Sequence, residues 1–172
     1  MKNVILSIGS NLNSSQGDRF YNIKKAVSYL NLNNIQIQKQ SSFYETPSYP
    51  DQTKPKFINI IVLASTKLLP MKILSINLEI EKKLERSRKI KNEPRTCDID
   101  IIDYNSEEIN INDRNSSLII PHPMFTKRNF VLIPMKEILP DWNYPKSLKK
   151  LDYFIGLLSD DEKKSITKVV QN

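Results

Sequence analysis

Cysteine, histidine and tryptophan each occur once in this chain, as Cys97, His122 and Trp142, and glycine occurs three times. Each scarcity removes a class of chemistry. A single cysteine forms no intramolecular disulfide and builds no cysteine-based zinc site. A Ser-His-Asp hydrolase would have to use His122, and nothing like G-x-S-x-G accompanies it. Gly9, Gly17 and Gly156 cannot make the phosphate-cradling loop G-x-x-x-x-G-K-[ST]. The glycine loop and H-R-D segment of protein kinases are missing as well. Apolar runs stop at about five residues, so none is long enough to span a bilayer as a helix. The opening MKNVILSIGSNL has one lysine and then only Val-Ile-Leu before a serine, too short for the apolar region of a signal peptide. A cytoplasmic location is therefore the expectation.

What remains is a soluble globular composition. The chain has 172 residues, 39% hydrophobic and 26% charged, which suits one domain with a real core. A net charge of +7 invites a nucleic-acid reading. Lysine, asparagine and isoleucine are all abundant, however, so scattered lysines reflect a global bias and say little about a ligand. The arginines are more informative. Arg86, Arg88, Arg95 and Arg128 fall in two short stretches, and the planar guanidinium fork suits phosphate oxygens.

Periodicity and punctuation place the elements. Val4–Ser10 is a short β-branched strand ended by Gly9-Ser10-Asn11. Asp18–Leu32 has Phe20, Ile23, Ala26, Val27 and Leu30 at helical spacing, with Asp18 as a candidate cap. Residues 35–44 alternate in their first half and read as one strand. Residues 45–57 hold three prolines and read as a long loop of the kind that carries function. Residues 58–65 form a strong strand, and Pro70 opens a helix reaching about Leu84. Cys97–Asp103 is a strand, with another short one near 107–112. Residues 134–139 and 147–158 read as helices, and the last residues are undefined. This is β-α-β, β-α-β with helical additions: a ferredoxin-like α+β sandwich with a short hairpin, in a single domain.

The centre of interest is EPRTCDIDII, residues 93–102. Side chains alternate along a strand, so Asp98 and Asp100 share one face while Cys97, Ile99 and Ile101 share the other, the core side. Two carboxylates presented together repel unless a cation sits between them. Magnesium fits, because it takes oxygen ligands and commonly uses one or two carboxylates plus substrate phosphates. Just upstream, residues 82–95 carry Lys82, Lys83, Arg86, Arg88, Lys89, Lys91 and Arg95 against Glu85 and Glu93. Acids to hold a metal and cations to hold phosphate oxygens are what a magnesium-triphosphate complex needs. A second stretch, PHPMFTKRNF (121–130), stiffens His122 between two prolines and follows it with Arg128, which suits a phosphate contact.

These residues resemble those of the 6-hydroxymethyl-7,8-dihydropterin pyrophosphokinase family of folate biosynthesis. Four blocks match in order: SIGSNL (7–12), SFYETP (42–47) with F-x-N at 57–59, the segment from Glu81 to Ile102 ending in PRTCDIDII, and PHP with R-x-F (121–130). The resemblance covers roughly residues 1–140 and leaves 145–172 without a role. It implies a ferredoxin-like domain that moves a pyrophosphoryl group from ATP to the hydroxymethyl group of the pterin and releases AMP. It also implies two magnesium ions on Asp98 and Asp100. By similarity Arg86, Arg88, Arg95, His122 and Arg128 contact phosphates or help close the site, with Arg86 and Arg95 catalytic, and Ile101 lies beside the adenine. Thr46, Pro47, Tyr49, Phe57, Asn59 and Phe130 would line the pterin slot. The implied partners are these small molecules alone, with no nucleic acid and no membrane, and a monomer is the default. The chain departs from the family at Glu85, where glycine commonly precedes the first arginine. It departs again at Asn92-Glu93, where Trp-Gly is frequent, and at Pro50, where glycine is frequent.

Two other classes stand against that reading. A ferredoxin-like RNA-binding module fits the charge and element order but lacks the aromatic RNP pattern, and the acidic pair would repel a phosphate backbone. A homologue that keeps the fold and has lost turnover is suggested by Glu85 and the altered loop, and opposed by the complete D-x-D and its arginines.

Overall fold

Along the first strand, Val4, Leu6 and Ile8 turn to one side and Ile5 to the other, and this alternation sorts the domain into layers. The computed structural model describes residues 1–49, 51–87, 93–113 and 116–171. In chain order the elements are β1 (Lys2–Ser10), α1 (Arg19–Leu32), β2 (Gln36–Gln40), β3 (Phe43–Thr46), β4 (Phe57–Thr66), α2 (Pro70–Lys83), β5 (Asp98–Tyr104), β6 (Ile109–Asp113), β7 (Ser116–Ile120), α3 (Asn129–Ile138), α4 (Leu151–Gly156), α5 (Asp160–Lys164) and β8 (Thr167–Val169). A short 3-10 turn, Phe125–Lys127, precedes α3.

The sheet runs β5-β1-β4-β3-β8, with β2 also on β4, and every pairing is antiparallel. With β2 and β3 counted as one interrupted strand, this is the ferredoxin-like βαββαβ arrangement. β6 and β7 form a separate hairpin. Asp18 caps α1 by accepting from the Tyr21 N–H at 2.7 Å, and Pro70 occupies the first turn of α2, where its missing N–H costs nothing. Both helices press Ile23, Ala26, Leu30, Ile73, Ile76 and Ile80 onto Val4, Leu6 and Ile8. Each such Val, Leu or Ile side chain contributes roughly 1.5–3 kcal/mol by leaving water. The opposite face is covered by Val131, Leu132 and Met135 of α3 with Phe125, Leu151 and Phe154, which meet the sheet at Ile5, Ile61 and Ile102.

Several elements differ from the expectation. The strand read over 35–44 is two strands. At the break the Ser41 hydroxyl accepts from the Ile61 N–H at 3.0 Å, where a main-chain carbonyl would otherwise serve. The pairing slips by one residue, from Gln40↔Val62 to Tyr44↔Asn59. The loop is accordingly shorter, 47–56. α3 begins at Asn129 rather than Pro134, and α4 at Leu151 rather than Ser147. The undefined tail forms α5 and β8, which extends the sheet along β3. β7 was not anticipated. β5 also carries a bulge: Leu6 faces Ile101 but Ile5 faces Asp103, so Ile102 is an extra residue.

Candidate active site

The sheet register assembles the site. Asp98 pairs with Gly9 of β1, Gly9 with Asn59 of β4, and Asn59 with Tyr44 of β3, so these residues form one row across four strands. Asp100 and Ser7 lie one step along, and Phe57 and Thr46 flank the row on the other side. Directly paired residues share a face, so all project from the α3 side of the sheet. Gly9 has to be small: a Cβ there would stand 2.9 Å from the Asn59 Oδ1.

Cations close over both aspartates. Arg86 Nη1 lies 2.6 Å from Glu81 Oε1 and also donates to Asp98 Oδ1. Arg95 Nη2 lies 2.5 Å from Asp98 Oδ2, and Arg128 Nη1 donates to Asp100 Oδ2 at 2.8 Å. Burial alone would push the Asp98 carboxyl up, but the Arg95 and Arg86 guanidiniums outweigh it and hold it below the usual carboxylate range. His122 sits with Nε2 4.0 Å from Asp100 Oδ2. Its Nδ1 accepts from the Met124 N–H at 3.1 Å, so the neutral ring carries its proton on Nε2, toward the site. Burial pushes the His122 pKa down, Asp100 opposes this and Arg128 reinforces it, for a net lowering that favours the neutral ring.

Three local devices aim these side chains. At the end of α2, Arg86 N–H bonds the Glu81 carbonyl and Glu85 N–H the Lys82 carbonyl, both at 3.0 Å, with Glu85 at φ 65. This is a Schellman closure, whose left-handed position favours glycine. Glu85 holds that position with its carboxylate accepting from the Ser15 hydroxyl and, at 2.9 Å, the Ser15 N–H. The departure at Glu85 therefore places its charge on Ser15, away from Asp98. Asn11 fixes Arg95: its Oδ1 accepts from the Arg95 N–H at 2.6 Å while the Asn11 N–H donates back to the Arg95 carbonyl at 3.0 Å. The PHP segment has a cis Ile120–Pro121 bond, and the His122 N–H bonds the Ile102 carbonyl at 2.9 Å.

The residues that the resemblance assigns to a pterin slot are mostly gathered beside this centre. Asn59 and Thr46 are buried and joined by an Nδ2–Oγ1 hydrogen bond of 3.0 Å. Pro47 follows Thr46 at the start of the loop. The Arg95 guanidinium lies 5.0 Å over the Phe57 ring, and that of Arg128 5.5 Å over the Phe130 ring. Tyr49 is 86% exposed, because the loop carries it outward, so it is not brought to the others. Ile101 is a correction of a different kind. Its side chain is 4% exposed and packed in the α1/α2 core, so a base beside this residue would meet its main chain and not its side chain. Arg88 lies outside the described residues.

Two site residues went unassigned in sequence. Glu81 looks like a helix-surface acid, yet it is buried, accepts from the Ile99 N–H at 2.8 Å and grips Arg86. Asn11 is inside SIGSNL, where its type says nothing about its partners. The signal for Glu81 was its place on the apolar face of α2, one residue after Ile80, where a lone acid needs a cation.

Among the described residues no cluster of three or more acids, histidines or cysteines could ligate a metal by protein groups alone. The donor set is two carboxylates on one face, edged by arginines. That set suits an oxygen-loving cation whose other ligands come from substrate.

A ferredoxin-like α+β domain with a carboxylate pair under three arginines suits one class, the transferases of phosphate groups. Within it the chain belongs to the 7,8-dihydro-6-hydroxymethylpterin-pyrophosphokinase (HPPK) family, whose model matches residues 5–140. It is a diphosphotransferase of that family. It is 36% identical over 154 residues to the 2-amino-4-hydroxy-6-hydroxymethyldihydropteridine pyrophosphokinase of Aquifex aeolicus, covering 90% of this chain and 91% of that one. It is also 36% identical over 134 residues to the enzyme of the same name from Bacillus subtilis, covering 77% and 75%. Among solved structures, a Plasmodium falciparum HPPK-DHPS chain matches with a TM-score of 0.73 at 13% identity, over 97% of this chain and 46% of that one. This chain thus spans about half the length of that bifunctional protein, and the likeness speaks to the fold. No helix among the described residues is long and apolar enough to cross a membrane.

Proposed function

We propose that this chain transfers the pyrophosphoryl group of ATP to the hydroxymethyl group of 6-hydroxymethyl-7,8-dihydropterin, in folate biosynthesis, with magnesium held by Asp98 and Asp100. The carrying observation is that these two carboxylates share one sheet face under Arg86, Arg95 and Arg128. The new bond joins the substrate hydroxyl oxygen to the β-phosphorus. The bond broken is that between the β-phosphorus and the oxygen that leaves with AMP, and the hydroxyl proton departs. When bound, magnesium, as two ions by family resemblance, neutralises phosphate charge and lowers the pKa of the attacking hydroxyl.

The chain's own residues do the positioning. The arginines stand where cations belong, each paired with an aspartate. An arriving triphosphate offers them new anions, so Arg86, Arg95 and Arg128 exchange carboxylate for phosphate oxygens and the aspartates are freed to ligate. Glu81 keeps a hold on Arg86 during that exchange. His122, neutral, offers its Nε2–H to a phosphate oxygen. Phe57 and Phe130 supply aromatic faces for a flat heterocycle, and the Asn59 amide, with donor and acceptor, suits its edge. No general base is required, because this transfer depends on positioning and charge neutralisation.

The test is to mix the purified protein with ATP, magnesium and 6-hydroxymethyl-7,8-dihydropterin and to measure AMP. AMP that needs both pterin and metal is the expected result. Its absence, with pterin and nucleotide both bound, would leave a homologue without turnover.

A further inference from the structure

The segment after α4 has little reason of its own to be where it is. α5 has no buried side chain, and two of the three residues of β8 are exposed. Hydrophobic burial therefore does little to hold it. Specific polar contacts do. A capping box between Ser159 and Glu162 shapes α5. The Asn129 Nδ2 then donates to the Glu162 carbonyl at 2.6 Å and to the Ser165 hydroxyl at 2.9 Å. β8 pairs Phe43↔Val169, Tyr44↔Lys168 and Glu45↔Thr167. Lys168 Nζ lies 3.0 Å from Glu137 Oε1 of α3, and the same carboxylate takes the Ser42 hydroxyl at 2.7 Å and the Tyr44 hydroxyl at 3.1 Å. Gln171 accepts from Lys24 of α1.

These contacts have a common geography. Asn129 stands between Arg128, which holds Asp100, and Phe130. β3 ends in Thr46, which is bonded to Asn59. The segment thus ties the start of α3 to the end of β3, the two walls of the pterin slot. We propose that residues 159–171 are a strap that positions these walls for pterin recognition, with Asn129 as its latch and a positioning residue. The proposal rests on the pterin-slot reading above. It gives a role to a segment that lies beyond the matched residues 5–140.

The full-length chain is compared with Asn129→Ala, which removes the latch, and with Lys168→Ala, which cuts the strap from Glu137 without touching the core. Direct pterin binding, KM for pterin and for ATP, kcat, and hydrogen exchange at residues 167–169 are measured. For Asn129→Ala, KM and the dissociation constant for pterin should rise roughly tenfold, the scale of one to two lost hydrogen bonds. Exchange at 167–169 should quicken, while kcat and KM for ATP stay within about twofold. Lys168→Ala should move the same quantities less. Faster exchange with unchanged pterin affinity in both variants would overturn the proposal. So would equal losses toward ATP and pterin, which mean general loosening. Wild-type protein that binds no pterin would instead bring down the functional reading and the strap's purpose with it.

Discussion

Asp98 and Asp103 lie on the same strand, yet their environments push them in opposite directions. At the open end of β5, Arg95 and Arg86 overcome burial and hold the Asp98 carboxyl below its usual range. At the closed end no guanidinium among the described residues reaches Asp103, and burial pushes it up to about 6. One Asp103 oxygen accepts from the Ser106 N–H at 3.0 Å. The other is buried and unpartnered among the described residues, as is the Trp142 Nε1, whose indole lies close enough to lower the pKa without reaching hydrogen-bonding geometry. The lesson is that the partner, more than the depth of burial, decides what a carboxylate is for. An acid matched by arginines is kept charged and ready to be handed to a metal. An acid without them strains the fold.

Four changes test that contrast. Replacing both Asp98 and Asp100 by Ala should lower AMP formation by about 10³-fold or more with the fold kept, and should lower the melting temperature at pH 7, because the depressed Asp98 carboxyl stabilises the folded state there. Substantial turnover in that variant would sink the proposed role of the pair. Arg95→Ala should cost on the order of 10²-fold in kcat/KM, and more than Arg128→Ala, because Arg95 also stacks on Phe57 and is pinned by Asn11. Equal losses would mean that the two arginines serve equivalent roles.

The third change concerns the closed end. The folded pKa of Asp103 lies above its unfolded value near 3.8, so the stability it contributes is fully present below that value and is lost as pH rises through about 6. Asp103→Asn keeps an acceptor for Ser106 and removes the charge. It should stabilise the protein by up to about 3 kcal/mol at pH 8, with most of the advantage gone by pH 4. Thermal melts across that range check it, and a gain independent of pH would point to packing instead. The smallest effect belongs to Glu85→Gly. It relieves a side chain at positive φ and gives up two bonds to Ser15, so turnover should stay within about twofold. A large gain in turnover would show that the Glu85 charge does reach the phosphates.

The same contrast marks what a sequence discloses. β1, α1, β4, α2 and β5 were legible because their apolar periods are long and their ends carry Asp18, Pro70 or a turn. The shared face of Asp98 and Asp100 followed from alternation alone. The break at Ser41 was not legible, because a hydroxyl replacing a carbonyl in the ladder depends on where Ile61 stands. β8 was hidden for a related reason: a three-residue strand exists only because β3 offers it an edge. Glu81, Asn11 and Asn129 carry ordinary polar types in ordinary places, and their meaning lies in partners distant along the chain. Ile101 shows the reverse case, since a residue beside a site in sequence can turn its side chain away from it in space.

The bulge at Ile102 has a consequence for how this strand can change. It reverses the phase of β5 midway. Before it, even-numbered residues face the α3 side; after it, Asp103, opposite Ile5, takes that side, and Tyr104 turns to the α1/α2 core. The strand is in effect two short strands spliced out of step, one addressed to ligands and one to packing. Straightening the bulge without removing a residue would put the halves in one phase, swinging Asp103 into the apolar layer and Tyr104 out of it, or else turning the aspartate pair inward. Loss of Ile102 itself would leave both halves facing as they do. Point substitutions can tune either half separately, whereas an insertion or deletion away from Ile102 puts the phase of the half it falls in at risk.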